Sequence, residues 1–118
     1  SYYKSINKIF KPNFTLDVEE KKEKSIDNFN LFPNYPNPFN PITTIKFELK
    51  KSENVLISVY NILGKEIKIL INENLPTGEH IIQWDGKDNK GSPLSSGVFF
   101  IQMIAGNFQR IIKAVLLK

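Results

Sequence analysis

The sequence predicts an all-β chain, an antiparallel β-sandwich of about seven strands preceded by an extended N-terminal linker. Three observations carry this. From Thr43 onward apolar and polar residues alternate with period two, giving each segment one face for a core and one for water. Clusters of Gly, Asn, Asp, Pro and Ser interrupt the alternation at short intervals, as turns between strands require. No convincing helical period lies between them.

Residues 1–30 differ from the rest. Tyr2, Tyr3, Ile6, Ile9 and Phe10 are spaced for a short amphipathic turn that Pro12 ends. The charge run "VEEKKEKS" follows, with Glu20 and Lys24 four apart, and reads as a solvated linker. A short first strand is expected around Leu31. In "TIKFEL" Ile45, Phe47 and Leu49 face one way, and in "NVLISVY" Val55, Ile57 and Val59 do. "EIKILI" offers Ile67, Ile69 and Ile71, and "EHIIQW" offers His80, Ile82 and Trp84. "GVFFIQMI" offers Phe99, Ile101 and Met103, and "QRIIKAVLLK" offers Ile112, Ala114 and Leu116. "KKSEN", "NILGK" and "NENLPTG" read as connections, "DGKDNKGSPLSSG" as a longer one, and "AGN" as a tight hairpin. Residues 31–118 are slightly shorter than an immunoglobulin-like domain of roughly 100 residues.

Composition excludes several classes. The 118 residues are 41% hydrophobic, enough for a core. The net charge is +4, with six Lys against five acids in residues 1–30 and ten Lys or Arg against seven acids afterwards. The basic residues are scattered, so no stripe tracks a nucleic-acid backbone. With no cysteine, disulfides, thiol catalysis and cysteine metal sites fall together. No apolar run reaches the roughly 18 residues of a membrane span. The chain opens at Ser1 without a basic-then-apolar leader, so a signal peptide is expected to be absent or removed, and the start without Met to mark a piece of something longer.

No enzyme is expected. The lone histidine, His80, falls on a strand's inward face with no nucleophile near it in sequence, and Ser92, Ser95 and Ser96 sit among turn formers without a strained elbow. Asp85, Asp88 and Asn89 ahead of Gly91 could offer oxygens to calcium, yet the spacing lacks alternating ligands and a distal Glu, and ordinary turn chemistry explains it. No metal or cofactor is therefore assigned. Trp84, alternating with Ile82, reads as a core anchor whose burial contributes on the order of 3 kcal/mol rather than as a sugar platform.

The stretch "NYPNPFNP" needs its own account. Pro36, Pro38 and Pro41 fix φ and hold their predecessors extended, which predicts a stiff, polyproline-like strap. Asn34, Asn37 and Asn40 can bond nearby backbone groups, and Tyr35 and Phe39 can pin the strap to the sandwich. Such a strap would cover a sheet edge and discourage edge-to-edge pairing.

"NYPNPFNPITTIKFEL", "VYNILGKEIKIL", "LPTGEHIIQWDGKDNKGSPLSSGVFF" and "IIKAVLLK" together closely resemble the C-terminal sorting domain (type A) of proteins exported by the type IX secretion system of Bacteroidota and relatives. The "WDGKDNKG…SSGVFF" half also resembles the immunoglobulin-like domain of the flagellar hook-capping protein. The resemblance covers residues 31–118. It implies a non-enzymatic sorting module joined to an N-terminal cargo, with residues 1–30 as the cargo's end and linker. It further implies passage through the periplasm and recognition by an outer-membrane translocon and its shuttle, delivering the cargo to the cell surface or the medium. In many members of the family a sortase-like peptidase then removes the domain and joins the cargo to an anionic lipopolysaccharide, and the sequence leaves open whether this domain is cleaved or retained. Tyr35, Pro36, Asn37, Pro38, Phe39, Asn40 and Pro41 match the family's entry signature. Gly64 matches its turn glycine, Trp84, Asp85 and Gly86 its central loop, and Gly97 the start of its penultimate strand. Lys113, Val115, Leu116, Leu117 and Lys118 fall in its terminal tail. Phe99 stands where the family often has Tyr, and Ile42 where Ser is common.

Alternation points Lys113 and Lys118 outward, toward either an acidic receptor groove or plain solvent. Removing Val115 to Lys118 is expected to abolish export while leaving the rest folded. Two other uses of a sandwich remain: a surface-fibre or adhesive subunit self-associating through free edge strands, and a carbohydrate-binding module for which Trp84 is the only plausible platform.

Overall fold

The computed structural model describes residues 29–118. The predicted amphipathic turn at Tyr2–Phe10 and the charged linker lie outside them. Seven antiparallel strands form two sheets: β1 (Phe29–Leu31), β2 (Thr43–Leu49), β3 (Glu53–Tyr60), β4 (Glu66–Leu75), β5 (Gly78–Trp84), β6 (Gly97–Ala105) and β7 (Phe108–Leu116). One sheet has the order β1-β2-β5 and the other β4-β3-β6-β7. The all-β, immunoglobulin-like sandwich predicted from the alternation is the fold, and β1 starts at Phe29, inside the stretch read as linker.

The inward residues of β2, β3, β6 and β7 meet between the sheets. Ile45, Phe47, Leu49, Val55, Ile57, Val59, Ile101, Met103, Ala114 and Leu116 are all buried, as the period-two reading requires. His80 is half-buried, stacked on the Phe47 ring at 5.3 Å with its Nε2 2.8 Å from the Pro76 carbonyl. It fills a strand position and faces no nucleophile.

Two expectations fail in β4. The strand was expected to point Ile67, Ile69 and Ile71 inward, but its pairing with β3 slips twice, so Ile57 faces Ile71 whereas Ser58 faces Ile69, and Val59 faces Lys68 whereas Tyr60 faces Glu66. Leu70 is the extra residue of the first slip and turns toward the core instead, leaving Ile69 39% exposed on the outer face. "NENL" was read as a connection, but it belongs to β4, because Asn72, Asn74 and Leu75 pair with Leu56, Asn54 and Glu53. Only Pro76 and Thr77 then carry the chain to β5 in the other sheet.

Candidate recognition surface

The strap meets both sheets. Tyr35 exchanges backbone hydrogen bonds with Thr44 of β2 (N–O distances 2.9 and 2.8 Å). Four residues on, the Phe39 amide donates to the Val115 carbonyl at 2.9 Å and the Phe39 carbonyl accepts from Leu117 at 3.0 Å, a parallel bridge to β7. The chain bends at residues 36–38 and again at 40–41. The stiff, extended, polyproline-like strap expected from the prolines is therefore a bent clip, whose bends let it bond to β2 in one sheet and β7 in the other.

Asn37 extends the clip along β7. Its side-chain amide donates to the Lys113 carbonyl at 3.0 Å and its Oδ1 accepts from the Val115 amide at 2.9 Å. A side-chain amide carries the same donor and acceptor as a peptide, so Asn37 supplies the rung that a neighbouring strand would have made. Together Asn37 and Phe39 occupy the outer edge of β7 from Lys113 to Leu117, the edge-covering role predicted for the strap. Asn37→Ala should cost about 1 kcal/mol, since two exposed hydrogen bonds pass to water. Hydrogen exchange should show the Val115 amide losing its protection; an unchanged rate would mean that the side chain is not the cap.

Asn34 holds the turn from within. Buried, it donates from Nδ2 to the Thr43 hydroxyl at 2.9 Å, which in turn donates to the Pro36 carbonyl at 2.9 Å. Asn40 is exposed and makes no hydrogen bond among the described residues. The two aromatics divide. Phe39 is 1% exposed and sits 5.3 Å from Trp84, which meets Phe99 edge-on at 5.4 Å. Tyr35 does not pin the strap with its side chain: paired with Thr44, it takes the outward parity and is 79% exposed.

Trp84 is buried at the centre of this end, its Nε1 donating to the Lys87 carbonyl at 3.0 Å. The sugar-stacking reading thereby loses the aromatic on which it rested. Gly86 follows with φ +74°, and a Cβ there would stand 3.2 Å from the Pro41 carbonyl and 3.6 Å from Leu116, so the strap, the central loop and the last strand close on one another at a position that favours glycine. Asp85 and Asp88 act as turn formers. Asp85 Oδ1 accepts from the Lys87 amide at 3.2 Å, and Asp88 Oδ1 from the Lys90 and Ser92 amides at 2.9 Å each. Among the described residues no three His, Cys, Asp or Glu side chains are grouped to hold a metal.

Leu116 is fully buried, whereas Val115 is half-buried and Leu117 and Lys118 are exposed, with the Lys118 amide donating to Ser96 Oγ at 2.9 Å. The expectation that the domain keeps its fold without Val115–Lys118 is thus opposed by the core position of Leu116 and by the strap contacts of Val115 and Leu117. Lys113 points outward as predicted. Gly64 lies at the same end of the sandwich, in the β3–β4 turn, with φ +81° and open space around it. Asn61 organises that turn by accepting from the Leu63 and Lys65 amides at 2.9 and 3.0 Å. Gly97 opens β6 with no contact that demands glycine. Sequence reasoning missed Thr43, and it read Ser96 and Asn89 as turn residues without foreseeing the backbone groups they bond. Asn89 lies along the β4 edge, donating its amide to the Ile67 carbonyl and accepting from the Ile69 amide, both at 3.1 Å. A backbone-mimicking asparagine in a loop was the available signal.

Fold and site together define an immunoglobulin-like module whose N-terminal strap and final strand form one surface. The chain belongs to the secretion-system C-terminal sorting-domain family, that of the type IX system, whose family model matches residues 34–118. No curated protein matches the chain. Among solved structures it is similar to dimeric latent PorU from Porphyromonas gingivalis (16% identity, TM-score 0.58, covering 75% of this chain and 9% of that one). It is also similar to PorZ of that organism, a surface component of the type IX secretion system (19%, TM-score 0.51, 79% and 12%). A third is FlgD from Pseudomonas aeruginosa (19%, TM-score 0.50, 70% and 68%). The chain spans only about a tenth of the first two, and at these identities the likeness establishes the shared fold. No helix among the described residues is long and apolar enough to cross a membrane.

Proposed function

We propose that residues 31–118 are a non-enzymatic sorting signal that directs a covalently linked, N-terminal cargo from the periplasm through the type IX system to the cell surface or medium. Residues 1–30 would be the end of that cargo and the linker. The observation that carries this reading, in a member of the sorting-domain family, is the clasp of Asn37 and Phe39 on Lys113–Leu117. It makes two ends of the domain into one preformed surface. Because that edge of β7 is already filled, a receptor reads the composite surface, with Lys113, Leu117 and Lys118 exposed beside the strap, rather than adding a strand there. The translocon, its shuttle and the sortase-like peptidase are the partners this reading implies.

The test is a fusion of all 118 residues to the C-terminus of a periplasm-exported fluorescent protein, in a host with a working type IX apparatus. The intact fusion should reach the medium or surface. The double variant Leu117→Ser/Lys118→Glu, which alters exposed side chains alone, should keep its melting temperature yet remain periplasmic. An intact, folded fusion that stays in the periplasm would refute sorting, and export of the variant at the normal level would remove the terminal residues from the signal.

A further inference from the structure

An antiparallel sheet with one solvent face normally carries polar residues there. The outer face of the four-stranded sheet instead interleaves apolar residues with polar ones. Its two central strands present Leu56, Tyr60, Phe100 and Ile104, all partly buried, flanked by Ile69 and Ile111, 39% and 50% exposed. No described element lies over this face. Both edges of the sheet are meanwhile partly closed, β7 by the strap and β4 by Asn89, which opposes strand-to-strand association at those points.

The registers arrange the face in rows. One row runs Glu66, Tyr60, Phe100, Lys113. The next runs Ile69, Ser58, Gln102, Ile111, and a third Asn72, Leu56, Ile104, Gln109. Residues paired across strands share a face, so Glu66 lies beside Tyr60. Consistently, the Tyr60 phenol is pushed above its ordinary 10.0 by burial first and the Glu66 carboxylate second, opposed by the Ser58 hydroxyl.

We propose that the chain self-associates through this face as a two-fold dimer, with the axis parallel to the strands and between β3 and β6. That operation reverses each row over itself. Glu66 of one copy then faces Lys113 of the other, and the pair occurs twice. Tyr60 faces Phe100, Leu56 faces Ile104, Ile69 faces Ile111, and Asn72 faces Gln109. Every row is self-complementary in charge or polarity, which an isologous interface requires. A two-fold along the strands also preserves the sense of twist, so facing strands tilt together and the sheets can stack about 10 Å apart. Four strands at about 4.8 Å and seven residues at about 3.3 Å give roughly 400 Å² of flat face, below the roughly 800 Å² per partner of a standard interface. The dimer is therefore weak. The inference goes beyond sorting and does not depend on it.

Sedimentation velocity on the full chain from ~10 µM to ~1 mM tests it. The wild type should shift reversibly from monomer to dimer. Glu66→Lys and Lys113→Glu each place like charges together twice, so each alone should weaken dimerisation about tenfold or more. Both residues are exposed, and far-UV circular dichroism should match wild type. An equimolar mixture of the two variants restores both opposite-charge pairs and should dimerise again. A wild type that is monomeric at ~1 mM, single variants that dimerise like wild type, or a mixture that stays monomeric would each overturn the proposal.

Discussion

Replacing Phe39 with alanine should destabilise the domain by about 3–5 kcal/mol, the range for losing a fully buried aromatic. The ring is 1% exposed and supplies one wall of the Phe39–Trp84–Phe99 stack. Removing it opens a void beside Trp84 and takes away the anchor that holds the clip in register with β7. Chemical denaturation followed by Trp84 fluorescence, from the one tryptophan of the chain, gives the number directly. The native-state emission should also move to the red, as water reaches the indole. Amide exchange at Val115 and Leu117 should rise together, since both lose strap partners. A loss of stability below about 1 kcal/mol would mean that the prolines alone position the strap.

Leu116→Ala should cost about 2–5 kcal/mol. The side chain is completely buried, lies near Gly86 and pairs across to Gly97 at the start of β6. The last strand is thus part of the core, and a terminal truncation confuses the signal with the fold. In the fusion assay Leu116→Ala should reduce export in proportion to its loss of folded protein, and recover at lower temperature. Leu117→Ser/Lys118→Glu should lose export with no change in melting temperature. If Leu116→Ala lowered the midpoint by less than about 0.5 kcal/mol equivalent, the burial of this residue would not be the feature that makes the tail integral.

The strands were legible because one face of each is buried, and burial forces the period of two on Ile45, Phe47, Leu49, Val55, Ile57 and Val59. Where β4 departs from that period, the sequence holds no warning: a bulge adds one residue to a single strand, and Ile69, Leu70 and Ile71 are equally apolar. "NENL" was taken for a loop because an edge strand needs few apolar residues and asparagine is common in turns. In the strap, Phe39 and the capacity of Asn37 to bond backbone could be anticipated, but which backbone could not. The partner is β7, whose pairing with residue 37 is a long-range contact that local pattern does not encode. Tyr35 was misassigned for a related reason, because a single bridge to Thr44 fixes its parity and that bridge is invisible in composition.

The parallel pairing of Phe39 with Leu116 also has a mechanical side. Tension arriving from residues upstream of Phe29 first meets the three pairs that join β1 to β2, Phe29–Leu49, Asn30–Glu48 and Leu31–Phe47. Behind them stands the clip. Strap and β7 run in the same direction, so a pull on the strap's leading end against the chain's final residues loads their hydrogen bonds together, in shear. The domain is therefore easy to fray at its entrance and hard to drag apart at the point where entrance meets exit.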